Sequence, residues 1–524
     1  MERPLKRPCP KAQWEHLCGE TKPIERNLND NLVDVRETSP IRTFGKKIGY
    51  ALVVMAITTV SCQKDSDPKP GPPVQPAALG KAQVWLTRGD QSSLLAQQSD
   101  ISISALKDTP TITLDTTVQL QEMEGFGAAL TGSSAYLINK KMSASQRSSL
   151  LKTLFSETDG IGVSYLRMTI GASDFSLSDY TYDDMPVGQT DYPLDNFSID
   201  KDKEDVVPVL KQILGVQSAV SIMGSPWSPP AWMKTNGSLK GGKLKTDAYD
   251  SYAQYFVKYI QAFKNEGITI DAVTPQNEPL YSTASYPCMD MPASDQLNFI
   301  KNSLGPAFQS AGVDTKIIAY DHNWDVTDYA ISIVNDAGAA QFVAGSAFHA
   351  YAGNVSAMSL VHNANPNKGL YFTEISGGGW ATDFSDNLQW QMANIFIGTT
   401  KNWSKNALLW NLALDENSGP TNNGCANCRG VVTINSTSGT VTKNVEYYAI
   451  GHFSKFVRPG AHRVSSTAFD SGTQLDNVAF LNTNGSKVLV VSNSGSSQQT
   501  FIVKLGERQF SYTIPGKAVV SIVW

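Results

Sequence analysis

One alternation constrains this chain more than any other feature. Eight short apolar runs recur through its middle: Gly125–Leu130, Tyr165–Ile170, Ala219–Met223, Ala272–Pro275, Lys316–Tyr320, Val343–Phe348, Gly369–Thr373 and Leu408–Leu412. Helical stretches separate them. The clearest is Asp247–Glu266, where Tyr252, Tyr255, Phe256, Tyr259 and Phe263 fall at helical spacing; Ser294–Phe308 and Asn387–Thr399 are others. Strands that alternate with helices must run parallel and be joined by crossovers. Eight such units over about 330 residues predict a (β/α)8 TIM barrel.

Beyond Pro459 the helical period stops. Asn477–Leu481, Lys487–Ser492, Thr500–Lys504 and Ala518–Trp524 read as strands with Gly, Asn and Ser turns between them. About 65 residues are few for a sandwich. Ala82–Thr87 and Thr111–Leu114 also read as strands. The expectation is therefore an α/β chain with a catalytic barrel at 119–458. A side β-sandwich would be built from segments 81–118 and 459–524.

The start of the chain reads differently. Lys46 and Lys47 precede Ile48–Val60, an uncharged run of 13 residues. That is short for a bilayer span and right for the core of a signal peptide. It ends at Thr59-Val60-Ser61-Cys62, which resembles a bacterial lipoprotein cleavage site with Cys62 as the lipidated residue. The expectation is a leader at 1–61, a Pro-rich tether at 62–80, and export. The protein would sit lipid-anchored at the bacterial cell surface or on the periplasmic face of the outer membrane. Residues 1–61 hold ten Lys and Arg against seven Asp and Glu, so a chain of net charge −5 carries −8 from Cys62 onward. With 17 % charged residues and no basic excess, nucleic acid is not an expected partner. The low charge leans toward a neutral ligand, met by a monomer that touches a membrane only through Cys62.

Cys9 and Cys18 fall in the leader, which leaves Cys288, Cys425 and Cys428, too few for a disulfide framework. Cys425-Ala426-Asn427-Cys428 has no second pair with which to make a zinc site. In an exported chain it reads as a local disulfide bracing the loop after strand eight. Cys288 reads as a free or buried thiol. No metal-ligand spacing and no phosphate-loop pattern occurs, so no cofactor is expected.

In such a barrel the chemistry sits at the C-terminal ends of the strands. Glu278, in Thr-Pro-Gln-Asn-Glu-Pro, follows strand four; Glu374, in Tyr-Phe-Thr-Glu-Ile-Ser-Gly-Gly, ends strand seven. Two carboxyls facing each other about 5–5.5 Å apart are what retaining glycoside hydrolysis uses, one as nucleophile and one as acid and then base. The charge of the nucleophile is expected to raise the pKa of its partner until the covalent intermediate forms.

Eight segments carry a resemblance to glycoside hydrolase family 30, which includes glucosylceramidases and endo-β-1,6-glucanases. They are GFGAALTGSSA (125–135), YLRMTIGASDFS (165–176), GSPWSPPAWMKTNG (224–237), AVTPQNEP (272–279), FHAY (348–351), FTEISGG (372–378), LLWNLALDENSGP (408–420) and GHFSKFVRPGA (451–461). The resemblance implies Glu278 as acid/base and Glu374 as nucleophile. It implies Asn277 bonded to the sugar 2-hydroxyl, and Arg167 holding the nucleophile ionised. It further implies Asp174 on a remote hydroxyl, Trp227 and Trp410 as walls of the sugar pocket, and His349 and Tyr351 beside the nucleophile. The loop Ser418–Gly430, with its CxxC, resembles the β-1,6-glucanase branch. The expected activity is endo-β-1,6-glucanase, with glucosylceramidase, exo-β-glucosidase or β-xylosidase as in-class alternatives. A non-catalytic glycan-binding lipoprotein is the alternative of another class.

Overall fold

A computed structural model describes residues 79–470 and 472–524. The leader with Cys9 and Cys18, the run Ile48–Val60, Cys62 and the tether through residue 78 lie outside the described residues.

Eight parallel strands close a barrel: β1 (Gly125–Leu130), β2 (Tyr165–Ile170), β3 (Ser221–Pro226), β4 (Ala272–Val273), β5 (Lys316–Asn323), β6 (Val343–His349), β7 (Gly369–Glu374) and β8 (Ser404–Leu409). β1 and β2 are buried at every position, as parallel strands covered on both faces must be. Gly127 allows β1 to approach β2: a Cβ there would lie 2.0 Å from the Tyr165 carbonyl oxygen. The barrel is filled inside by Tyr165, Met223, Ala272, Ile318, Ala347, Tyr371 and Leu408, one residue from each of β2 to β8. Outside, the helix Tyr249–Asn265 presents the anticipated aromatic stripe. Tyr252, Tyr255, Phe256, Tyr259 and Phe263 are all fully buried, and Phe256 and Phe263 each contribute about 1.5–3 kcal/mol through removal from water.

Several boundaries differ from the sequence expectation; β3, for one, runs over Ser221–Pro226 rather than Ala219–Met223. β8 begins four residues earlier, at Ser404, because polar Asn406 sits inside the ladder: it faces Gly125 of β1, and its side-chain oxygen accepts from the Phe372 amide at 2.8 Å. Trp410 is thereby placed just beyond the strand, at the mouth of the barrel. The other expected helices are each broken by a π-turn, Ile300–Leu304 in one and Met392–Phe396 in the other. The N-terminal strand starts at Gly80, and the strand Ile112–Glu122 runs four residues past Val118 before the barrel begins.

Outside the barrel and two small sheets of the loops after β7 and β8, the strands form one ten-stranded sheet that folds back on itself. Gly80–Arg88 pairs with Ala518–Val523 and with Ile101–Ala105, and Ile112–Glu122 lies between His462–Ser466 and Gln499–Leu505. N- and C-terminal segments thus share one apolar core. His452, on the helix Val445–Ser454, ties this sheet to the barrel through Thr87 and Ser521, each at 2.8 Å. Burial holds that imidazole neutral, with its pKa pushed down to about 3.

Candidate active site

The ends of six strands converge on one buried charge cluster. Arg167 on β2 is fully buried and donates at 2.6 Å to Glu374, at 2.7 Å to Asp321, at 2.7 Å to the Asn277 side-chain oxygen and at 3.2 Å to Ser225. His349 at the end of β6 bridges two carboxylates. Its Nδ1 lies 3.0 Å from Glu278, and its Nε2 lies 3.1 Å from Asp321. The Tyr351 hydroxyl donates to Glu374 at 2.9 Å. The sequence-derived residues Arg167, Asn277, Glu278, His349, Tyr351 and Glu374 therefore stand together.

The backbone bends to achieve this. Glu278 (φ 45°) and Asp321 (φ 71°) are both left-handed, a conformation that side-chain-bearing residues rarely adopt and that concentrates at functional sites. The Glu278 amide donates to the Asp321 carbonyl at 3.0 Å, so the two distorted strand ends support each other.

Asp321 was not singled out from the sequence, yet it is the centre of the cluster. It accepts from Arg167, Ser225, Thr274, Thr373 and His349. Burial opposes its charge, but Arg167, then His349 and Thr274, outweigh burial and hold its carboxyl well below the ordinary range. A signal was present. Asp321 directly follows the run Lys316–Tyr320, and the end of a barrel strand is a catalytic position. His322, the next residue of β5 and 4.0 Å from Glu278, carries the same signal.

The electrostatics follow from these contacts. Burial alone would strip the proton from His349; the charge of Glu374 and the bonds to Asp321 and Glu278 prevail and raise it to about 9. For Glu278, burial opposes ionisation, but the His349 hydrogen bond and the charges of His322, His349 and Arg167 hold it below its ordinary value. The expected upward pressure from Glu374 is thus outweighed by the two imidazoles. Glu374 is pushed up by burial and by Glu278, against His349, Arg167 and the Tyr351 hydroxyl. The two carboxyls and the imidazole titrate as one unit.

Trp227 and Trp410 stack on each other, ring centroids 5.0 Å apart, with the Arg167 guanidinium 5.1 and 5.6 Å from the rings. Both are nearly buried, so they form an apolar floor beside the carboxylates rather than open faces. Asp174 is partly buried on the loop after β2. Its Oδ1 is buried without a partner, and burial, then the charges of Glu374 and Glu278, push its carboxyl well above the ordinary range. A polar atom left in that state is one a ligand hydroxyl can satisfy.

Cys425 and Cys428 are joined in a disulfide, and Cys288 is free and buried. Ligand atoms of Glu278, His349 and Glu374 lie within 4.8 Å of one another, a spacing a cation could use. Arg167, 2.6 Å from Glu374, already supplies the positive charge there.

Two family models match the chain. The glycosyl hydrolase family 30 TIM-barrel domain covers residues 123–457, and the family's beta sandwich domain covers 460–522. An endo-1,6-β-D-glucanase of Neurospora crassa is 40 % identical over 388 residues, spanning 71 % of this chain and 79 % of the relative. The lysosomal acid glucosylceramidase of Mus musculus is 30 % identical over 511 residues, spanning 91 % and 95 %. A solved endo-β1,6-glucanase structure superposes with a TM-score of 0.79 at 38 % identity, over 85 % of this chain and 99 % of that one.

Proposed function

Because the chain belongs to glycosyl hydrolase family 30, and is thus a glycoside hydrolase, we propose that it cleaves β-1,6-glucan internally by a retaining mechanism. One observation carries the mechanism: oxygens of Glu278 and Glu374 come within 4.8 Å of each other. That separation suits direct attack by a carboxylate and leaves no room for the interposed water of an inverting enzyme, which needs about 6.5–9.5 Å.

Glu374, oriented by Arg167 and Tyr351, attacks the anomeric carbon. Glu278 protonates the departing glycosidic oxygen. Its proton comes along the 3.0 Å contact from His349 Nδ1, while Asp321 retains the Nε2–H. The glucosyl ester on Glu374 is then hydrolysed by water whose proton Glu278 takes and passes back to His349 along the same contact, which returns Glu278, His349 and Glu374 to their starting states. Asn277 has its side-chain oxygen committed to Arg167, so its amide NH2 is the group it can offer to the sugar 2-hydroxyl.

The preference for β-1,6-glucan over glucosylceramide rests on the higher identity to the glucanases. Product analysis on pustulan, glucosylceramide and an aryl β-glucoside tests it. A ladder of oligosaccharides from pustulan is the expected result; glucose alone, released from the lipid or the aryl glucoside, overturns it. Pustulan binding by wild type with no cleavage of any β-glycoside would favour a non-catalytic glycan binder. The reading extends to location. Ile48–Val60 followed by Ser61-Cys62 supports export with a lipid on Cys62, which would hold the enzyme beside extracellular polysaccharide. Cys62→Ala should move the enzyme from the membrane fraction to the soluble fraction, and unchanged partition would overturn the anchor.

A further inference from the structure

The loop Asn422–Arg429, after β8, spans two other loops of the site. On one side the Asn422 amide donates to the Asp174 carbonyl at 2.7 Å, and its Nδ2 donates to the Ser173 carbonyl at 3.1 Å. Gly424 lies directly on the Asp174 side chain: a Cβ there would be 2.6 Å from Asp174 Cβ and 2.7 Å from its Oδ2. On the other side Gly377–Gly378, just beyond Glu374, pair with Cys428–Arg429, and the Gly379 amide donates to the Asn427 carbonyl at 2.8 Å. Arg429 anchors the assembly with a two-pronged ion pair to buried Glu446, 2.7 and 3.1 Å. Between these attachments the Cys425–Cys428 disulfide closes the loop, and Cys428 is buried against Phe175, Trp227 and Trp410.

We propose that this disulfide-closed loop is a positioning element. It presses the backbone at Asn422 and Gly424 against Asp174, and so fixes the carboxyl whose buried, unpartnered Oδ1 receives a hydroxyl of the bound glucosyl unit. The inference rests on the glycosidase reading above and deepens it. A disulfide between residues three apart in sequence adds little to global stability, because it closes a very short segment. Its effect is local, on the shape of the loop that carries Gly424.

The test is a double-mutant cycle. Cys425→Ser/Cys428→Ser is made in the wild type and in Asp174→Ala, with kcat, KM and thermal midpoint measured on an aryl β-glucoside and on pustulan. The expected result is a loss of about ten- to a hundredfold in kcat/KM, the cost of leaving a buried hydrogen-bonding group unsatisfied, with the midpoint little changed. In the Asp174→Ala background the same pair of substitutions should cost almost nothing, as coupled sites require. Wild-type kcat/KM in the serine variant overturns the proposal, and so does an equal loss in both backgrounds. Should the serine variant fail to fold, folded wild type treated with dithiothreitol gives the same comparison. The dithiol supplies two electrons and two protons to the S–S bond, leaves two thiols, and itself becomes a cyclic disulfide. A wild type inactive on every β-glucoside would overturn the function instead. The cycle would then be read by calorimetric binding of β-1,6-gluco-oligosaccharide.

Discussion

Replacing Asp321 with Asn removes a charge but keeps the shape. Asp321 is fully buried, 2.7 Å from Arg167 and 3.1 Å from His349, and it accepts hydrogen bonds from three hydroxyls. An amide in its place leaves Arg167 with Glu374 as its one remaining carboxylate. It also turns one acceptor into an NH2 that faces donors. Breaking a buried ion pair from one side costs about 3–5 kcal/mol. The Asp321 carboxyl is depressed in the fold, so its stabilisation is present above the unfolded pKa and is lost only as pH falls through the lower folded value. At neutral pH the whole loss should therefore appear in urea unfolding. Activity should respond too. His349 would lose one of the charges that raise it to about 9, so the Glu278–His349 couple would release its proton at lower pH. The basic limb of kcat/KM should move down in the variant. A variant that unfolds with the wild type and keeps its basic limb would refute Asp321 as the organiser of this cluster.

Other outcomes follow from the same geometry. Glu374→Gln should abolish turnover while retaining oligosaccharide binding by calorimetry. Glu278→Ala should still attack an aryl glucoside with a good leaving group, and added azide should restore release of the enzyme-bound sugar; no rescue would argue against Glu278 as acid/base. Because burial and Glu278 push Glu374 up, the acid limb of kcat/KM should lie above the ordinary glutamate value of 4.5; a limb below it would contradict that balance. His349 is raised from 6.5 to about 9, so its stabilisation is complete below 6.5 and fades as pH climbs through about 9; His349→Gln should flatten that part of the stability profile.

How much of this was legible in the residues depends on the kind of information each feature carries. Six of the eight strand starts stand where the apolar runs place them, because a parallel strand buried on both faces must be apolar along its length. β8 hid its start because Ser404-Lys405-Asn406 is polar, and only pairing with β1 and β7 makes Asn406 a ladder residue. Glu278 and Glu374 were visible because each stands at the end of such a run. Asp321 stands in the same position, but its five hydrogen-bond donors come from β2, β3, β6, β7 and the residue after β4. No local pattern records such a convergence.

The sequence by itself determined the alternation that forces a barrel, the two carboxylates at its mouth, and the Cys pair in the loop after β8. The protonation order of the site was decided by tertiary structure alone. A carboxyl's pKa depends on what lies within a few ångströms of it, and for Glu278 the controlling neighbours, His322 and His349, are 44 and 71 residues away in the chain. Closure of the barrel brings them to Glu278, and with them the charge that outweighs burial and leaves on His349 the proton that Glu278 delivers.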